Sequence, residues 1–177
     1  PNMVICTPSD ENETRKLLTT AYLHNGPASV RYPRGTGPNS NVDKDLKPLK
    51  IGEANIINEE SSEIVILNFG TLLNEANQIS KELRATLVDM RFVKPLDEKL
   101  LRKLFKKAKV FISIEDGSIM GGAGSAVQEF ASKENLNVRS ILFGIPDKFI
   151  EHASREEMLV EAGLDVENIK SKLSKLL

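Results

Sequence analysis

The sequence predicts an α/β protein: a three-layer α/β/α domain on a mostly parallel sheet with one antiparallel strand, preceded by the last β-α-β unit of another sheet. Three observations predict it. Short apolar runs at 64–69, 86–90 and 110–114 alternate with stretches whose apolar residues recur at helical spacing, the pattern of strands buried on both faces. A stretch crowded with glycine, proline, asparagine and serine, 35–50, separates this pattern from what precedes it. Ahead of that stretch lies a strand–helix–strand pattern too short to bury a core alone.

Residues 3–7 form an apolar run closed by Pro8, which suits a buried strand. Ser9, Asp10 and Glu11 then supply a helix cap and first-turn acids, favourable against the helix dipole. Leu17, Leu18, Ala21 and Tyr22 give that helix an apolar face, and His24, Asn25, Gly26 and Pro27 stop it. Residues 28–32 are a second strand, ended by Pro33. Beyond the linker, 54–57 and 64–69 are strands joined by a short turn, so the two are expected to pair antiparallel, since a parallel pair needs a long crossover. A helix over 72–83 turns Leu72, Leu73, Ala76, Ile79 and Leu83 inward, and a strand follows at 86–90. The next helix, 97–107, has Asp97 as cap and Leu100, Leu101, Leu104 and Phe105 inward. A strand at 110–114, a glycine-rich turn, a helix at 123–132 and a strand at 138–143 come next, and helices near 155–162 and 166–176 close the chain. The expected organisation is therefore a first unit at 1–34, a linker at 35–50 and a complete domain at 51–177. A strand–helix–strand unit without its sheet leads to the expectation that this is the carboxy-terminal piece of a larger enzyme, cut through one domain.

With 177 residues, 40% hydrophobic and 28% charged, the chain has the apolar material for a real core. Its 24 basic residues against 25 acidic ones argue against a nucleic-acid partner, which demands a clear cationic excess. The single cysteine, Cys6, excludes a disulfide within the chain and reads as a small buried hydrophobe between Val4-Ile5 and Thr7. No apolar run approaches the roughly 20 residues of a membrane span, and no signal peptide is legible. The expectation is a soluble, cytoplasmic protein with no membrane partner. His24 and His152 have no Cys, Asp or Glu at metal-ligand spacing, so no metal site is expected. No catalytic nucleophile arrangement is legible either.

Three segments carry chemistry. In Val30-Arg31-Tyr32-Pro33-Arg34-Gly35, arginines at the end of a strand face the crevice where open α/β sheets bind ligands, and a guanidinium fork suits a phosphate. The other reading is that Arg31 and Arg34 pair with surface acids, and the pattern alone favours it. In the block from Glu115 to Ser125, glycines between a strand and a helix can present backbone amides to an anion, or can simply allow tight packing. Gly121, Gly122 and Gly124 are too tightly spaced for a dinucleotide fingerprint, so packing is favoured. Glu115 and Asp116 are neighbours on a strand and point to opposite faces, which argues against joint acid–base work. In the third segment Asp89 and Arg91 stand at a strand end, where an ion pair between them would shape an interface.

Taken together, Pro8 to Glu13, Arg31 to Gly35, Leu67 to Thr71, Ala85 to Asp97 and Ile119 to Ser125 resemble the 1-deoxy-D-xylulose-5-phosphate synthase family of transketolase-like enzymes, over essentially the whole chain. The resemblance implies an enzyme that uses thiamine diphosphate and Mg²⁺ to condense pyruvate, with decarboxylation, onto D-glyceraldehyde 3-phosphate. The product would feed isoprenoid, thiamine and pyridoxal biosynthesis. It further implies a homodimer, and assigns 1–34 to the end of the pyrimidine-binding domain and 51–177 to a transketolase C-terminal-type domain. The family's catalytic, cofactor-binding and metal-binding residues would lie in the missing amino-terminal part of the same enzyme, leaving this chain inactive alone. Only one ligand carries over: Arg34, expected to hold the phosphate of glyceraldehyde 3-phosphate, with Arg31 the weaker candidate. The alternative is a free-standing transketolase C-terminal-type dimerisation or regulatory module.

Overall fold

A computed structural model describes residues 1–35, 37–38 and 42–177, with the backbone alone at 61 and 62. In chain order the elements are β1 (Val4–Cys6), α1 (Glu11–Leu23), β2 (Ala28–Val30), β3 (Asn55–Asn58), β4 (Ser61–Phe69), α2 (Leu73–Leu83) and β5 (Ala85–Asp89). They continue as β6 (Phe92–Lys94), α3 (Glu98–Phe105), β7 (Val110–Ser118), α4 (Ala123–Lys133), β8 (Arg139–Ile145), α5 (Arg155–Ala162) and α6 (Val166–Leu176).

The β-α-β unit forms as expected, with β1 and β2 parallel and Val4 opposite Ala28. Asp10 starts α1 by accepting the Glu13 amide at 2.7 Å, and Glu11 and Glu13 stand in the first turn. The expected inward face of α1 is only half correct. Leu17 is fully buried, but Leu18 is 46% and Tyr22 88% exposed. The small core beneath α1 holds Val4, Cys6, Leu17 and Phe92, and neither Leu18 nor Tyr22 joins it.

Phe92 enters that core through a strand the sequence did not disclose. β6 pairs antiparallel with β1, Ile5 opposite Lys94 and Cys6 opposite Phe92, so the first sheet runs β2-β1-β6. This pairing sews the β-α-β unit onto the rest of the chain. The expected linker lies partly outside the described residues, at 36 and 39–41. Its later part straps α1: Asn12 accepts the Asp43 amide at 2.7 Å, and Thr20 the Leu49 amide at 2.7 Å.

The second sheet runs β3-β5-β4-β7-β8, parallel throughout except for β3. One antiparallel strand is as expected, but its partner is not: β3 pairs with β5 rather than β4. The reason is burial. All five residues of β5 are buried, so its backbone needs a strand on both edges. The two-residue connection at 59–60 crosses the start of β5, and Asn58 accepts the Leu87 amide at 2.8 Å where the register shifts.

Alternate residues of each strand feed two cores, giving the three layers. Ile66, Leu87 and Ile112 pack with Ile79, Ile169 and Leu173 of α2 and α6 on one face. Val65, Leu67 and Phe111 pack with Leu101, Phe105 and Val127 of α3 and α4 on the other. From β4 the chain steps to β5 on one side and later to β7 on the other. The strand order therefore reverses between β4 and β7, the place where such sheets open a crevice at their carboxyl ends. No described helix is long and apolar enough to cross a membrane.

Candidate functional site

The crevice between β4 and β7 is not empty. Asp116, near the end of β7, uses Oδ2 to accept the Thr71 hydroxyl at 2.8 Å, and Thr71 stands just past β4. Thr71 in turn accepts a hydrogen bond from Arg155 Nη2 at 2.7 Å, at the first residue of α5. From the other side Arg31, just past β2, donates Nη1 to Asp116 Oδ1 and Nη2 to the Asp116 carbonyl. Four side chains from separate elements thus form one chain, Arg31–Asp116–Thr71–Arg155.

Arg34 stands apart from it. The last backbone bond of this strand is the Arg31 amide to the Cys6 carbonyl at 2.9 Å, after which Tyr32, Pro33 and Arg34 leave the sheet. Arg34 is exposed and lines two adjoining clefts. One, of about 280 Å³, also borders Ser9, Thr14, Thr71 and Arg155. The other, of about 370 Å³, runs between Arg31 and the apolar residues Ile150, Met158 and Leu159. Asp10, Glu11 and Glu156 share the first rim, so charge alone does not select an anion. The distinguishing feature is availability: among the described residues no hydrogen bond or ion pair engages the Arg34 guanidinium. Of the two sequence candidates, then, Arg31 is held by an acid within the chain and Arg34 is open. Thr71 and Arg155 were not foreseen; a threonine after Phe69-Gly70 and an arginine inside a Ser-Arg-Glu-Glu helix start carry no distinctive sequence signal.

The glycine-rich turn is filled from within. Glu115 accepts the Ala123 amide at Oε2 and the Gly124 amide at Oε1, both at 2.9 Å, at the start of α4. Burial pushes its carboxyl above the usual range, while the two amides pull it back. Gly122 is required here, because a side chain would run into the Ser118 carbonyl and the Glu115 carboxylate. These amides therefore already have their anion. Asp116 faces the other way, toward Arg31, as strand alternation requires.

Asp89 and Arg91 do not pair with each other as expected. Arg91 has φ +58, which turns it onto Glu13 of α1 in a two-point contact at 2.7 and 3.0 Å. Asp89 instead accepts the Ser9 hydroxyl at 2.6 Å, and burial pushes its carboxyl up to about 6. Both contacts do join the β-α-β unit to the larger domain. Asp97 caps α3 through the Leu100 amide at 2.9 Å and also receives the Ala54 amide at 3.1 Å. Cys6 is buried, its thiol pushed up to about 11, which makes it unreactive. Among the described residues no three His, Cys, Asp or Glu side chains converge to hold a metal ion.

Comparison with known proteins agrees with this architecture. Residues 52–169 match the family described as transketolase, C-terminal domain. The chain is 50% identical over 171 residues to the 1-deoxy-D-xylulose-5-phosphate synthase of Pseudomonas fluorescens, covering 97% of this chain and 27% of that protein. It is 51% identical over 170 residues to the synthase of Pseudomonas aeruginosa, covering 96% of this chain and 27% of that one. It thus spans about a quarter of the length of these relatives. Among solved structures, the inactive β4 tetramer of a split-gene transketolase has a TM-score of 0.81 at 25% identity, over 99% of this chain and 57% of that one. The transketolase of Campylobacter jejuni has a TM-score of 0.67 at 19% identity, over 99% and 26%, and shows the fold alone.

Proposed function

Because this chain belongs to the transketolase C-terminal domain family, we propose that it is the carboxy-terminal part of a cytoplasmic, homodimeric 1-deoxy-D-xylulose-5-phosphate synthase. That enzyme would condense pyruvate and D-glyceraldehyde 3-phosphate on the route to isoprenoids. The observation that carries the reading for this chain is the open Arg34 guanidinium on two adjoining clefts whose other arginines, Arg31 and Arg155, have partners. A phosphate presents the oxygens that a guanidinium fork binds at two points.

Thiamine diphosphate and Mg²⁺ would supply the carbanion chemistry in such an enzyme, but the residues here do not fit them. Among the described residues there is no converging set of metal donors, and the glycine-rich amides are taken by Glu115. The part played by this chain is positional. Arg34 anchors the acceptor by the end remote from its reacting carbonyl, so that binding energy orients the aldehyde. The exposed Leu18, Tyr22 and Leu23 on α1 support packing against the remainder of the enzyme.

Steady-state kinetics of the complete synthase test this. Arg34→Ala is expected to raise the KM for glyceraldehyde 3-phosphate roughly 10–100-fold, the loss of one or two charge-assisted hydrogen bonds, with the KM for pyruvate little changed. Unchanged acceptor kinetics would remove the role.

A further inference from the structure

β2 has three residues, and among the described residues no sheet hydrogen bond follows the Arg31 amide on the segment carrying Arg34. Something else must hold an arginine that has to meet a phosphate at a fixed place. The only tether on this segment among the described residues is the Arg31 side chain on Asp116. Asp116 is well placed to act as an anchor. Its side chain is 11% exposed against 47% for Arg31, so the rigid partner is the one on β7. Both carboxylate oxygens and its carbonyl are in use. The turn after β4 is cut back to admit it: Gly70 has φ +97, and a Cβ there would stand 2.9 Å from Asp116 Oδ1. The crevice where an α/β sheet ordinarily takes a ligand is thus given over to an internal ion pair.

Resting on the reading of Arg34 as a phosphate ligand, we propose that Asp116 is a positioning residue for acceptor binding. It fastens the Arg34 segment to the C-terminal domain through Arg31. Its own charge is the wrong sign for a phosphate, so it acts only through the arginines. That sign separates the proposal from plain electrostatics. Deleting a nearby anion should tighten phosphate binding if charge alone mattered, whereas deleting an anchor weakens it.

The test is steady-state kinetics of the complete synthase carrying Asp116→Ala, Arg34→Ala or both, together with Arg31→Met. The last variant cuts the same tether from its more exposed side and guards against misfolding of Asp116→Ala. Asp116→Ala and Arg31→Met are each expected to raise the KM for glyceraldehyde 3-phosphate roughly tenfold, with kcat and the KM for pyruvate near wild type. The double variant should be no worse than Arg34→Ala alone, because both changes act through one group. An acceptor KM that stays or falls in Asp116→Ala and Arg31→Met, while Arg34→Ala still raises it, overturns the positioning role and leaves the Arg34 reading intact. A parallel loss for both substrates also overturns it, since that is a purely structural defect. If Arg34→Ala itself has no effect, the Arg34 reading fails and this inference fails with it.

Discussion

Two loops of this chain offer an anion the same kind of welcome, and only one is free to accept. Both follow the carboxyl end of a strand: the segment after β2 with its arginines, and the glycine-rich turn between β7 and α4. In the second, Glu115 lies within the fold and takes the Ala123 and Gly124 amides, so the anion is built in. In the first, the built-in anion, Asp116, is bonded to Arg31 and not to Arg34. The difference teaches that donor geometry alone does not make a binding site. What decides is whether the chain spends its own acid on the donors.

The largest test of that contrast is to empty the filled loop. Glu115→Ala would leave two buried amides unpaired and should cost the chain about 3 kcal/mol or more in urea denaturation. It should also make the melting temperature rise with added sulfate more than it does for the wild type. A variant of wild-type stability, indifferent to sulfate, would break the comparison.

Asp89 is the intermediate case, a buried acid whose Oδ2 accepts the Ser9 hydroxyl. Its folded carboxyl titrates near 6, against about 3.9 when unfolded, so the folded state holds the extra proton between those values. Stability from this group is therefore full below about pH 4 and lost as pH rises through about 6. Asp89→Asn should remove a slope on the order of 2 kcal/mol between pH 4 and pH 7, read from urea melts at each pH. Identical slopes in both proteins would count against it. The smallest effect is expected at Asp97, which fills the start of α3 as Glu115 fills that of α4, but nearer the surface. Asp97→Ala should cost about 1 kcal/mol in the same denaturation assay. A neutral result would mean that the Leu100 amide finds water instead.

The helices and parallel strands of the larger domain were legible because each carries its own periodicity: Leu72, Ala76 and Ile79 mark α2, and the buried run at 64–69 marks β4. What escaped was information held between segments. β6 has only three residues, and it is a strand because β1 lies beside it. The partner of β3 follows from the burial of β5, not from the short turn beside β3. Arg91 turned from Asp89 to Glu13 because its backbone is left-handed, which no neighbouring residue type announces. At the candidate site, Arg34 was a candidate from its strand-end pattern and the resemblance, whereas Thr71, Asp116 and Arg155 meet only once strand ends and a helix start are brought together.

Recognition of a phosphate by the open Arg34 guanidinium is the proposal on which the others rest. Its most direct test compares D-glyceraldehyde 3-phosphate with D-glyceraldehyde as acceptor for the complete synthase and its Arg34→Ala variant. The wild type is expected to prefer the phosphorylated acceptor strongly in kcat/KM, and the variant to lose most of this preference by failing with the phosphorylated one alone. An equal preference in both enzymes would contradict it.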